Sequence, residues 1–173
     1  MSNAPDGGPS AAAALTHLRP DGSLTMVDVG GKATTERYAH ARALVRLPPP
    51  AAQALREATL RKGDALAAAQ IAGILAAKNT AGLIPLAHPL PLAAVDVAFS
   101  WSQACVLQID ARARTAAQTG VEMEAMVAAG VAALTIYDMT KSLGKDITIE
   151  AVRLLEKRGG KSGRWHAADF VAD

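Results

Sequence analysis

Hydrophobic and polar side chains alternate along several stretches of this 173-residue chain. Odd positions from residue 39 to residue 47 carry only Ala, Val and Leu, whereas the even positions include His40, Arg42 and Arg46. A similar alternation runs over residues 95–101 and 105–114, on either side of Ser102 and Gln103. Because a strand points successive side chains to opposite faces, these patterns predict a strand over residues 37–47 and an antiparallel hairpin over residues 95–114.

A fourth strand is predicted over residues 147–156, with one irregularity. Its apolar side chains occupy odd positions 147 and 149 and then even positions 152 and 154. A period of two changes parity only where one extra residue is inserted. We therefore expect a β-bulge near Glu150 and Ala151.

Helical spacing characterises three further segments, residues 51–60, 64–78 and 121–144. Prolines 48–50 end the first strand and suit the first turn of the helix that follows, and Gly144 supplies a stop for the last helix. The order of elements is then strand, two helices, two strands, helix and strand. This order predicts an α+β, ferredoxin-like fold, a four-stranded antiparallel sheet with helices packed on one face. The opposite face is expected to meet a second subunit rather than water.

The low-complexity ends suggest a simple domain organisation. Residues 1–14 are mostly Ala, Gly, Pro and Ser without periodicity and are expected to form a flexible leader. Residues 15–163 are expected to form one catalytic domain, followed by a flexible tail over residues 164–173.

Composition narrows the classes of function. Half of the residues are hydrophobic and only 3% are aromatic, so the chain has little material for stacking single-stranded nucleic acid. A net charge of +2 does not produce the large positive field of a general DNA-binding protein. Cys105 is the only cysteine, which excludes an internal disulfide and fits a reducing compartment. With no membrane-spanning run and no basic segment before Arg19, a cytoplasmic location without nucleic-acid or membrane partners is expected.

Two familiar ligand motifs are missing. The four histidines are far apart and none has the spacing of a metal site, so no metal or other cofactor is expected. The segment GGKSG at residues 159–163 is not a nucleotide-binding P-loop, because Leu155 occupies the position of that motif's first glycine.

Three segments carry candidate chemistry, each with an ordinary alternative. His88 lies between prolines in a stiff apolar loop, where backbone groups could equally satisfy its ring. Glu122 and Glu124 begin the long helix, where capping by Thr119 and the helix dipole would explain them. Asp138 and Lys141 are three residues apart, which suits either a surface ion pair or a general acid/base pair beside apolar Leu134.

Seven segments, taken in order, resemble the cyclic pyranopterin monophosphate synthase family of molybdenum cofactor biosynthesis, also called molybdenum cofactor biosynthesis protein C. The resemblance covers residues 15–163. It rests on LTH at 15–17, MVDV at 26–29, KGD at 62–64, IPLAHPL at 84–90, TGVEMEA at 119–125, AALTIYDM at 132–139 and GGKSG at 159–163. The family usually has Cys where this chain has Ala87, and Gly-Lys in place of Ala117-Gln118. The second departure takes away one cation near the expected substrate.

The resemblance implies a lyase that converts a 3′,8-cyclised GTP intermediate into cyclic pyranopterin monophosphate and releases pyrophosphate. It implies that Asp138 is the acid/base residue with Lys141 as its partner, and that Lys62 supplies a cation. It also implies a homohexamer built as a trimer of dimers. The implied substrate contacts are Leu86, Ala87, His88, Glu122, Met123 and Glu124.

Two other classes of function compete with this reading. A nonenzymatic nucleotide-binding regulator on the same scaffold would need phosphate contacts but no acid/base pair, so Asp138 and Lys141 argue against it. An RNA-binding sheet would need aromatic side chains on its central strands, where this chain has Ala, Arg and Gln.

Overall fold

The computed structural model describes residues 17–19 and 21–170, which form an α+β arrangement with a single antiparallel sheet. The predicted leader, residues 15 and 16 of the predicted domain and the last three residues lie outside the described residues. The sheet order is β2-β3-β1-β4-β5. Its strands are β1 Thr35–Arg46, β2 Ala94–Gln103, β3 Val106–Ala117, β4 Thr148–Arg158 and β5 Trp165–His166.

Within the described residues, three of the four helices follow the sequence pattern with shifted ends, and the short third helix was not predicted. The helices are α1 Pro49–Arg56, α2 Ala65–Lys78, α3 Thr80–Leu83 and α4 Glu122–Thr140, and α4 continues into a 3-10 turn at Lys141–Leu143. Helix α1 ends four residues before the predicted position 60 because Ala58 has a positive φ of 52°. The Thr59 amide then donates to the Ala54 carbonyl at 3.0 Å, which closes the helix end.

The sheet has five strands, so the predicted count of four is wrong. After the glycine turn at residues 159–163 the chain folds back, and Trp165 and His166 pair with Lys157 and Glu156. A strand of two residues is too short to produce an alternating pattern, which is why the sequence did not predict it. The predicted tail therefore begins with this strand.

Strand β4 contains the predicted bulge and a second one. Leu44 pairs with Ala151 and Val45 with Ile149, which leaves Glu150 as an extra residue and confirms the predicted irregularity. A second shift leaves out Leu155, whose side chain is 3% exposed. Each bulge shifts the alternation by one residue, so the side chains of β4 that face the helices change parity twice.

One face of the sheet carries the core. Ala39, Ala41 and Ala43 of β1 are fully buried beneath α4, whose own inner face is also built from alanines. Helices α2 and α4 lie side by side at close range, since a Cβ on Gly73 would come within 2.9 Å of the Ala128 carbonyl oxygen. Small side chains thus replace aromatic rings as the means of dense packing.

The opposite face of the sheet is polar. His40 Nε2 and Arg42 Nε lie 2.7 and 2.9 Å from the same Asp110 carboxylate oxygen, and Gln108 binds the other oxygen at 2.7 Å. Burial raises the pKa of Asp110, but these three hydrogen bonds outweigh it and bring the pKa to about 2. The ring of Phe170 meets that of His40 edge-on at 5.5 Å.

Candidate active site

The C-terminal end of α4 carries a carboxylate between two lysines. Lys141 Nζ lies 2.7 Å from Asp138 Oδ1, and Lys62 Nζ lies 3.3 Å from Asp138 Oδ2. Lys62 also donates to the Asp138 backbone carbonyl at 2.7 Å, so it stabilises the helix end as well as the side chain. The predicted pair is therefore a cluster of three groups, and Lys62 reaches it from the loop between α1 and α2.

Attraction within the cluster sets its protonation state. The Lys141 hydrogen bond, then that of Lys62, lowers the pKa of Asp138, and the Asp138 carboxylate raises the pKa of Lys141. The two side chains are 59% and 51% exposed, and Leu134 is 59% exposed. Because nothing desolvates the pair in one chain, attraction prevails over the burial that would move both pKa values toward neutrality. At neutral pH Asp138 and Lys141 are therefore a carboxylate and an ammonium group.

A second group of predicted residues lines a cavity of about 360 Å³ at the N-terminal end of α4. The His88 ring hydrogen-bonds the Val27 carbonyl oxygen at 2.8 Å, as the backbone-satisfied alternative requires, and the same side chain borders the cavity. The cavity brings together six of the seven predicted substrate-binding residues, Leu86, Ala87, His88, Glu122, Met123 and Glu124. The seventh, Lys62, lies beside Asp138 at the other end of α4.

The two glutamates of this cavity are in different environments. Glu122 pairs with Lys157 of β4 at 3.0 Å. Glu124 is 3% exposed, and burial raises its pKa. Thr119 does not cap α4, because Val121 occupies the N-cap position without a side-chain hydrogen bond. Capping by Thr119 therefore does not explain these carboxylates, although both still lie where the helix dipole favours negative charge.

A single chain does not bring the two groups together. Glu124 and Asp138 are 14 residues apart on one uninterrupted helix. At 1.5 Å of rise per residue they are separated by roughly 21 Å along its axis. Each end of α4 therefore presents only part of the predicted set of site residues.

Sequence reasoning overlooked two cationic neighbours of the cavity. Lys32 lines it, and Lys157 reaches it through Glu122. Lys157 follows both bulges of β4, so the alternating pattern did not indicate which face it occupies. Lys32 lies in an irregular loop that has no period to read.

The described part of the chain offers neither a metal-binding group of side chains nor a membrane-spanning helix. Within residues 17–19 and 21–170, no three His, Cys, Asp or Glu side chains are grouped so that they could hold a metal ion. Over the same residues, no helix combines the length and the apolar character needed to cross a membrane.

A family profile and individual proteins of known name all relate this chain to one family. The sequence profile of the MoaC family matches residues 26–160. A cyclic pyranopterin monophosphate synthase from Novosphingobium aromaticivorans is 54% identical over 90% of this chain and 98% of its own length. Proteins of the same name from Thermomicrobium roseum and Desulfovibrio desulfuricans are 51% and 52% identical, over 92% and 90% of this chain and 97% and 96% of their own lengths. With matches of this extent to both the family profile and its members, the chain belongs to the MoaC family.

Proposed function

We propose that this protein is a cyclic pyranopterin monophosphate synthase, a lyase that acts on the 3′,8-cyclised GTP intermediate in molybdenum cofactor biosynthesis. The observation that carries the proposal is the contact of Asp138 with Lys141 and Lys62, in a chain about half identical to synthases of that name along nearly its whole length. A nonenzymatic nucleotide-binding module would not require this acid/base cluster.

The reaction asks for two kinds of chemistry from the site. Opening a purine ring and closing a pterin ring move protons repeatedly, and we assign these transfers to Asp138 and Lys141. Forming a cyclic monophosphate requires a substrate hydroxyl oxygen to bond to the α-phosphorus while the bond to the departing pyrophosphate breaks. Lys62 supplies a cation for the phosphate charge on the substrate or on this leaving group.

The N-terminal end of α4 is assigned to substrate binding. Leu86, Ala87 and Met123 offer apolar contacts, and His88, Glu122 and Glu124 offer polar atoms around the same cavity. Such a mixture suits a heterocycle that carries several hydrogen-bonding groups.

We further propose that each complete site is shared between two subunits. The two ends of α4 are too far apart to reach the same reacting atoms, whereas a two-fold axis can place one end of each helix beside the other end of its partner. A trimer of dimers provides such axes. Burial in that interface would also desolvate Asp138 and Lys141 and move both pKa values toward neutrality.

Two broader proposals accompany this function. The order β2-β3-β1-β4, with helical connections after β1 and β3, supports a ferredoxin-like fold to which β5 is an addition. A single cysteine and a metabolic substrate support a cytoplasmic location.

A turnover assay with the cyclised GTP intermediate tests the proposed function. The purified protein should release pyrophosphate and form the cyclic pterin, whereas Asp138→Asn and Lys141→Ala should lose about a hundredfold to ten-thousandfold in rate. Asp146→Asn and Lys145→Ala are matched controls, because they remove the same charges from exposed positions a few residues further on. Tight binding without turnover by the parent protein would instead identify a nonenzymatic module.

A further inference from the structure

The glycine turn at residues 159–163 borders the substrate-binding end of the molecule. Lys157, two residues before it, pairs with Glu122 of the cavity. On its other side, a Cβ on Gly160 would lie 1.9 Å from an Arg37 guanidinium nitrogen, so the turn packs closely against this side chain. Arg37 in turn donates to the carbonyl oxygens of Ala117 and Gln118, both at 3.2 Å, which lead into the cavity wall. The turn is therefore connected to the cavity on two sides, through Lys157 with Glu122 and through Arg37.

The turn itself has little intrinsic stiffness. Gly159, Gly160 and Gly163 have φ values of 102°, 71° and 62°, and glycine loses more conformational entropy on ordering than any other residue. Two backbone hydrogen bonds close it, Gly159 N–H to the Gly163 carbonyl and Gly163 N–H to the Gly160 carbonyl, at 3.1 and 3.2 Å. Additional restraint comes from β1, since Gly160 packs against Arg37, and from the chain on either side of the turn.

Residues 164–170, here called the return segment, supply that restraint from the opposite face of the sheet. Arg164 binds the buried Glu156 carboxylate at 2.6 Å, and the Ala167 amide donates to the Leu155 carbonyl at 2.8 Å. Asp169 binds the Arg153 guanidinium through both carboxylate oxygens. Phe170 completes the series with its edge-on contact to His40.

Burial of apolar side chains in the hydrophobic core does not account for these contacts of the return segment. Trp165 is 45% exposed and His166 is exposed, so the return segment buries little apolar surface of its own. Instead it is attached by the pairing of β5 with β4 and by four further contacts along β4 and β1. These contacts fix the course of the return segment more than they stabilise the fold, since an exposed ion pair contributes only about 0–1 kcal/mol.

We propose that the return segment positions the glycine turn, and that the Arg153–Asp169 pair and Phe170 are positioning residues for substrate binding. This inference rests on the proposed function, because the turn matters only if the adjoining cavity holds the substrate. A loosened turn weakens binding of the substrate and of the transition state by the same amount, so the expected effect is a higher KM with kcat unchanged.

Charge reversal within the pair provides the test. Arg153→Asp and Asp169→Arg should each raise KM about two- to fivefold, leave kcat within about twofold, and speed amide hydrogen exchange at residues 159–163. The double variant Arg153→Asp with Asp169→Arg should recover both KM and exchange protection. Phe170→Ala should act like the single reversals, whereas Ala168→Ser, at an exposed position of the same segment, should match the parent.

Each outcome bears on the proposal separately from the function. Unchanged exchange at residues 159–163 in both Arg153→Asp and Phe170→Ala would overturn it, as would a raised KM that the double reversal fails to restore. If the parent protein has no turnover, the proposed function fails. The exchange measurements still decide whether the return segment restrains the turn.

Discussion

At the scale of single residues, Glu124 and Asp138 show how location on one helix produces opposite electrostatics. Glu124 is almost fully buried at the first turn of α4, and its pKa is raised by the loss of solvation. Asp138 is exposed near the last turn, and its pKa is lowered by hydrogen bonds from two lysines. In the free chain, Glu124 is thus the carboxyl group more readily protonated, and Asp138 the one that stays ionised.

Stability should depend on pH through Glu124. Because its folded pKa lies above the ordinary value of 4.5, the native state binds the proton more tightly than the unfolded chain does. The free energy of unfolding therefore falls as pH rises from the unfolded to the folded pKa. Glu124→Gln removes this ionisation, so its stability relative to the parent should increase over that range and then level off.

Urea unfolding at a series of pH values checks this expectation. Glu36→Gln, at an exposed position of β1, measures the effect of removing a carboxylate from the surface. A stability difference between Glu124→Gln and the parent that stays constant from about pH 4 to pH 8 would show that burial does not control this carboxyl group.

At the scale of elements, two glycines in neighbouring helices have opposite roles. A Cβ on Gly73 of α2 would lie 2.9 Å from the Ala128 carbonyl oxygen and 3.3 Å from a Val97 methyl carbon. A Cβ on Gly130 of α4 would have no neighbour closer than 4.0 Å. Close approach of α2 to α4 thus depends on glycine at the first position and not at the second.

Substitution by alanine separates packing from helix propensity. Gly73→Ala should destabilise the protein by about 1–3 kcal/mol, because a backbone carbonyl cannot move aside without displacing α4. Gly130→Ala should stabilise it by about 0.5–1 kcal/mol through the lower entropy of the unfolded chain. Thermal or urea unfolding measures both changes. Equal stabilisation by the two substitutions would mean that α2 and α4 can move apart to admit a Cβ at no cost in stability.

At the scale of the whole molecule, the proposal that each site is shared between two subunits makes a prediction about the two ends of α4. Lys141→Ala and Glu124→Ala are each expected to be inactive, since each removes a group from a different half. If sites are shared across a two-fold interface, mixed oligomers contain some sites with neither substitution. Recovered activity should then reach between about a quarter and a half of the parent value, depending on how subunits pair.

The experiment requires joint unfolding and reassembly of the two inactive proteins, followed by the same turnover assay. Refolding each variant alone provides the control for reassembly. Proven subunit exchange without recovered activity would mean that each site is built within one chain. That result would contradict the shared site inferred from the roughly 21 Å between the two ends of α4.

Local features of the sequence determined most of the elements. Alternation predicted the four long strands, and the parity change predicted the bulge at Glu150. Asp64 was the predicted start of the second helix, and its carboxylate accepts a hydrogen bond from the Ala67 amide at 3.0 Å. The three-residue spacing predicted the contact between Asp138 and Lys141. Each of these depends on neighbours along the chain, where side-chain periodicity directly reports backbone conformation.

Only the tertiary structure decided the contacts between distant segments. It brings Lys62 to Asp138 across 76 residues, sets Lys157 beside Glu122 after two bulges, and adds β5 at the sheet edge. It also keeps the two ends of α4 apart, so that the predicted site residues form two groups in one chain. Such contacts depend on how whole elements pack, and packing between elements leaves no period in the sequence from which it could be read.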